Sequence, residues 1–535
     1  SSDHLEKVDK INNKLPIILN IEEIKQYAKI KEYYKKTDWK NFDQALNNIK
    51  NKIIIGYFEY DKLMHPTKYK ASYEDLIGWL QKYEDYPVIM RKRVHRLMIK
   101  RASTKDQKNA ISSPKFGNYL RGYGEAGYSS KHLETKESKH IRKKIKDINK
   151  IYFSGDINSS YTMAKNIYEN YRVKDPQFYF RLGINTFRLN KKNEANKYFR
   201  HCSELLVKIA SHEKNDWIIA GCYYWQAKTI DGKDNKRKVL KKASTYSRTL
   251  YGQLAIEKLK LKEAFKWNTR YAIKNLKDYK EFFNDTSFNR TLALSQIKSY
   301  DKADIEIRNL YSKYGSNFKS ELFYLCEKLR LASAQIRIGE KFHNVNSTIY
   351  IRGLYPAPDW KLVNGYILDK ALIYALIRRE SAFNMKAKSP KGARGLMQLM
   401  PRTASKIKKD YRLRYGNVYQ LYSLDLNLEL GQKFLKGLIE NKTTGSSLLE
   451  TLIAYNAGIK RLKNWQNLID NNDPITFIES IPIKETRWFV KYILTDLWIY
   501  RDRLGQEKPT RIMLANNKWP IFKNIDYIRT ADAKY

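Results

Sequence analysis

Apolar residues along this chain recur at intervals of three and four, and strand-like alternation is scarce, so the pattern predicts helix after helix. Short amphipathic helices are expected at 8–15, closed by Pro16, and at 21–34, with 39–54 continuing the pattern. Further helices follow at 159–171, 176–189, 193–210, 217–230 and 237–246, joined by short polar turns. The stretch from Leu189 to Ala195 recurs in kind from Ile297 to Ala303: a helix end, a polar turn, and an alanine that lets the next helix pack closely. Stacked helical hairpins read this way, so a tetratricopeptide-like α-superhelix without a strict repeat period is expected.

Beyond it the pattern changes little at first. Helices are expected at 292–298, 303–314 and 321–338, and then Gly353 to Trp360 supplies Pro356, Pro358, a turn and a helix start. The predicted organisation is all-α: a superhelix over 1–285, a small helical linker domain over 286–349, and a C-terminal domain over 350–535. Within the last, Leu368, Leu372, Ile373, Leu376 and Ile377 form one apolar face. Glu380 continues that face, while Arg378 and Arg379 point elsewhere. A carboxyl on the inner side of an apolar helix is hard to ionise, because burial penalises the charged form and raises its pKa. Such a proton-holding Glu is what a general acid needs. Ser389-Pro390-Lys391-Gly392 then marks a turn, and the chain returns through Gly395 to Pro401, which suits the first turn of a new helix. Another helix is expected from Asp425 to Glu440, with Asn427 as its N-cap.

The composition narrows the picture without naming a function. The 535 residues are 42% hydrophobic, enough for substantial cores, and no apolar run approaches the roughly 20 residues of a membrane-spanning helix. The chain starts at Ser1 with no visible signal peptide, as a processed chain would, so export is neither shown nor excluded. A Cys202–Cys222 disulfide is conceivable, but three cysteines in all favour buried free thiols. The eight histidines are scattered, with no HExxH cluster, so no metal is expected. The net charge of +46 suggests an anionic partner. Lys and Arg are spread along the whole chain and no zinc-finger or RNP-like signature occurs, which speaks against nucleic acid. An anionic cell wall or a lysine-rich genome explains the charge equally well.

Four motifs in order carry more. Glu380-Ser381-Ala382-Phe383, then Gly395-Leu-Met-Gln398-Leu-Met400-Pro401, then Ala454-Tyr455-Asn456-Ala457-Gly458, then Ile481 to Arg487 with its Glu485-Thr486-Arg487. Together they resemble the motifs of the soluble lytic transglycosylases of the lysozyme-like superfamily. Ile53–Tyr60, Trp79–Pro87 and Thr249–Ala255 resemble, more weakly, segments of the long, superhelix-containing members. Ile483 departs from the pattern, where relatives more often carry an aromatic residue, which puts fine substrate preference in doubt.

The resemblance implies a lysozyme-like catalytic domain acting on peptidoglycan without a cofactor. In that family one Glu protonates the glycosidic oxygen between N-acetylmuramic acid and N-acetylglucosamine. As a carboxylate it then takes the proton from the muramic C6 hydroxyl, which closes a 1,6-anhydro ring. By motif position Glu380 is the acid and base, and Ser381, Gln398, Met400, Tyr455, Asn456 and Glu485 contact substrate. Each has a plainer reading: Met397, Leu399 and Met400 as core, Tyr455 as a packed ring, Gly458 as a helix cap. Arg487 is expected to neutralise Glu485, lowering its pKa and keeping it ionised. The implied setting is a periplasmic monomer on glycan strands and muropeptides, with cell-wall synthases as partners by analogy alone. A hydrolase on the same scaffold, a catalytically silent wall-binding scaffold, and last a nucleic-acid binder are the alternatives.

Overall fold

The computed structural model describes residues 15–123, 137–208, 213–267, 281, 284–315, 317–346, 351–470 and 472–526. The predicted helix at 8–15 and the end of the linker at 347–349 lie outside the described residues. Helices make up the fold, and among the described residues there is no strand beyond isolated bridges such as Lys388 to Arg394 and Arg394 to Leu399. The all-α expectation holds.

Two compact units divide the chain in an interleaved way. One takes Ser1–Gly124, Lys266–Leu362 and Ser381–Leu424; the other takes Glu125–Phe265, Val363–Glu380 and Asp425–Tyr535. The chain thus crosses from one unit to the other directly after Glu380.

In the first unit the helices Thr286–Gln296 and Tyr300–Tyr314 form a hairpin, and in the second Pro176–Arg188 and Lys192–Lys208 do the same. Their turns are alike. Asn190 and Lys298 both take left-handed φ values, 60° and 56°. The following N–H reaches back six residues inclusive, Lys191 to the Thr186 carbonyl at 3.2 Å and Ser299 to Leu294 at 2.8 Å. This Schellman arrangement satisfies carbonyls that the helix end would leave bare. Ala195 and Ala303 are fully buried in the first turn of the next helix, as the repeated sequence led one to expect.

One predicted helix stops short and another is in fact a pair. The helix expected at 39–54 ends at Asn48, and the next begins only at Ile55. Asn51 breaks it: its side-chain oxygen accepts from the Ile53 N–H at 3.2 Å and its amide donates to the Ile18 carbonyl at 3.1 Å, a local bonding pattern that competes with helix. The run at 321–338 divides into Lys319–Lys328 and Ala332–Asn346 around Arg330, φ 62°. Leu331 there repeats the Schellman bond to Cys326 at 2.7 Å.

The weaker motif segments are structural. A Cβ on Gly56 would lie 2.7 Å from the rings of Tyr83 and Tyr86, and Trp79 donates its indole N–H to the Gly56 carbonyl at 3.0 Å. In the other unit, Tyr251 donates to Glu479 at 2.6 Å and Gln253 accepts from Arg511 at the same distance. The Thr249–Ala255 motif therefore anchors two C-terminal helices, Pro474–Ser480 and Pro509–Ala515.

One cysteine expectation is overturned. Cys202 and Cys222 form a disulfide, while Cys326 is free and buried. The reason is packing: successive helices Lys192–Lys208 and Glu213–Lys228 bring their Cα atoms to 6.1 Å, within the span a disulfide needs.

Candidate active site

The helix Lys370–Ser381 is built for burial. Leu372, Ile373, Leu376 and Ile377 are fully buried, each contributing about 1.5–3 kcal/mol relative to exposure. The two arginines on its other side are not solvent-facing. Arg378 is buried and donates to Asp496 at 2.8 Å, and Arg379 stacks over the Tyr492 ring at 4.1 Å. With both cations engaged there, Glu380 is left half-buried at the last turn. Among the described residues no hydrogen bond or ion pair holds its carboxyl. Burial pushes this carboxyl up to about 8; Arg379 partly offsets the effect and the negative charge of Glu485 adds to it.

Two further elements of the same unit face it. Tyr455 lies in the helix Leu448–Ala457, its ring 5.4 Å from that of Phe434 and 6.2 Å from Phe489 in a nearly parallel stack. Burial, and then the proximity of Glu380, raise its hydroxyl well above the usual tyrosine range, so it stays a proton donor. Gly458 ends that helix at φ 91°, a value that disfavours a side chain, and opens the next helix, Ile459–Leu468. The Asn456 side-chain oxygen accepts from the Thr486 hydroxyl at 2.7 Å, which ties the third motif to the fourth. Glu485 is exposed in the first turn of Lys484–Arg503.

Glu485 does not have the partner expected for it. Arg487 donates instead to the Ile481 carbonyl and lies over the Phe153 ring at 4.5 Å. Residues two apart on a helix point to different sides, so the pair cannot face each other. One other expectation also changes. Asn427 is buried inside Leu424–Ile439 and is not its cap. Asp425 accepts from the Val363 N–H at 2.9 Å rather than from its own helix.

The remaining motif residues belong to the other unit. Ser381 is buried, and Ala382 and Phe383 follow it with φ 48° and 62°. Left-handed backbone at two successive residues with side chains, one a bulky ring, is strain of the kind that collects at functional sites. Gln398, φ 47°, donates its amide to the Gly395 carbonyl at 2.7 Å and the Ala387 carbonyl at 3.2 Å, closing its own loop. Met397 and Leu399 are core, whereas Met400 is 41% exposed ahead of Pro401–Lys408. Phe489 was within reach of sequence reasoning, since it stands one helical turn from Glu485. Phe434 gave no such signal, and Thr486 stood in the fourth motif without a role assigned to it.

A family model described as the transglycosylase SLT domain matches residues 361–478. The matched segment resembles that domain. It holds Glu380 and the second and third motifs, and Glu485 follows just beyond it. Over 161 residues the chain is 35% identical to a soluble lytic murein transglycosylase of Escherichia coli K12 and 34% identical to one of Salmonella typhimurium. These matches cover 30% of this chain and 24% of each relative, so the chain spans about a quarter of their length. Beyond the SLT domain the likeness is one of fold. An inactive mutant of the lytic transglycosylase Slt from Pseudomonas aeruginosa superposes with a TM-score of 0.51 at 18% identity, over 97% of this chain and 76% of that one. A 70 kDa soluble lytic transglycosylase in complex with bulgecin A gives 0.51 at 15% identity, over 94% and 99%.

Proposed function

We propose that this chain is a lytic transglycosylase of peptidoglycan, cleaving between N-acetylmuramic acid and N-acetylglucosamine and leaving 1,6-anhydro ends. The observation that carries the reading is Glu380: a carboxyl in the segment that matches the SLT domain, in no ion pair among the described residues, with its proton retained to about pH 8. A group poised there can give a proton to a leaving oxygen and later remove one from a hydroxyl, without a second catalytic carboxylate. Tyr455, protonated beside it, donates a hydrogen bond to the carboxylate once the proton has gone. By motif position the same reading makes Ser381, Gln398, Met400, Asn456 and Glu485 substrate contacts. The domain limits near 285 and 350 belong to the same reading.

The relatives named as soluble murein transglycosylases support peptidoglycan as substrate. The Cys202–Cys222 bond supports an oxidising compartment, for which the periplasm is the natural choice. No described helix is long and apolar enough to cross a membrane.

The test is digestion of purified peptidoglycan with product identification by mass spectrometry. Anhydro-muropeptides are expected from the wild type and a loss of at least about 10²-fold in Glu380→Gln. A second reading, hydrolysis, draws on one observation: Glu485 is an exposed carboxylate close enough to Glu380 to affect its charge, as a base for water would be. Reducing-end products would decide for it.

A further inference from the structure

The helix Lys484–Arg503 turns Glu485 toward Glu380 and Arg487 to its other side, into a separate cavity of about 80 Å³ in the same unit. Three cationic side chains line this space: Arg181, Arg487 and Lys491. Arg487 is 8% exposed and Lys491 5%. Lys491 pairs with Glu479, which is itself 1% exposed and also accepts from the Tyr251 hydroxyl at 2.6 Å. Arg181 donates to the backbone carbonyl of Glu479 at 2.7 Å. Arg487 has less. Among the described residues it makes one hydrogen bond, to the Ile481 carbonyl, although a guanidinium carries five N–H donors. The two guanidinium groups sit over the same ring, Phe153, at 4.8 and 4.5 Å.

The acids do not balance this charge. Glu479 is committed to Lys491. Asp175, the other acid on the wall, caps Pro176–Arg188 by accepting from the Gln177 N–H at 3.0 Å, and its charged neighbours are Glu137 and Lys484. Three buried or half-buried cations therefore meet one ion-paired carboxylate and the capping Asp175 in an aromatic-walled space. Buried charge is held in proteins by partners, and planar guanidinium pairs match the oxygens of an oxoanion. The volume admits a few waters or one such anion.

We propose that this cavity binds a small oxoanion group, phosphate, sulfate or carboxylate, between Arg487, Arg181 and Lys491. The site is separate from the reaction at Glu380 and does not depend on how that reaction is read. Burial and the charge of Arg181 bring Arg487 down to about 9, and burial with Arg487 brings Lys491 to about 8 despite Glu479; a bound anion would reverse both shifts.

The test is thermal unfolding of the full chain at constant ionic strength, replacing chloride by phosphate, sulfate, acetate or muramoyl dipeptide. A saturable rise in Tm of roughly 1–3 °C per tenfold excess over the dissociation constant is expected, and its loss in Arg487→Met and Lys491→Met. Arg181→Gln, at the half-exposed edge, serves if a buried variant fails to fold. A response to phosphate or sulfate alone assigns a free inorganic anion; a response to acetate and the dipeptide assigns a pendant carboxylate. Equal melting in all four anions and chloride, or a rise that survives in every variant, overturns the site.

Discussion

Holding a proton on Glu380 at neutral pH weakens the fold. An unfolded Glu releases its proton near pH 4.5, whereas the folded carboxyl keeps it to about 8. Stability from this group is therefore full below pH 4.5 and is lost as pH rises toward 8. Glu380→Gln removes the ionisation, so the variant is expected to melt higher than wild type at pH 8, by on the order of 2 kcal/mol after allowance for partial exposure, and near equally at pH 4. Calorimetry at the two pH values checks it. On the proposed reading catalysis shares the same group: with protonated Glu380 as the acid, kcat/KM on soluble glycan fragments should stay level up to about pH 8 and fall above it. Tyr455→Phe keeps the stacked ring and removes the donor, so kcat should drop about tenfold with KM little changed.

Single helices were the part of this molecule most legible in the sequence, and their ends the least. Periodicity put Glu380 on an apolar face because both the face and the residue lie within one helix. It gave no hint of Asp496, which holds Arg378 from a helix more than a hundred residues later. Asn427 failed as a cap because the helix begins at Leu424, one turn earlier. The Glu485–Arg487 pair failed on helical geometry that spacing alone does contain. The hairpin turns were legible in kind, through Leu189–Ala195 and Ile297–Ala303, but not in their backbone. Asn190 and Lys298 hold left-handed conformations that suit glycine. Lys298→Gly should accordingly stabilise by up to about 1 kcal/mol, read from denaturant midpoints at unchanged slope.

Across the whole molecule, 102 Lys and Arg residues face 56 Asp and Glu. Much of that excess lies on exposed surface, where it acts as a field and is screened by salt. Co-sedimentation with isolated peptidoglycan should weaken markedly between low and high salt, while turnover of short uncharged fragments changes little. The disulfide has a consequence in time rather than in space. During synthesis Cys202 and Cys222 emerge close together, and Cys326 much later. An oxidant acting on the advancing chain meets Cys202 and Cys222 together before Cys326 has emerged. By the time the third thiol appears, nothing is left for it to exchange with except a buried bond. Biogenesis of this fold should then need an oxidase and no isomerase, and the order of its cysteines is what removes that requirement.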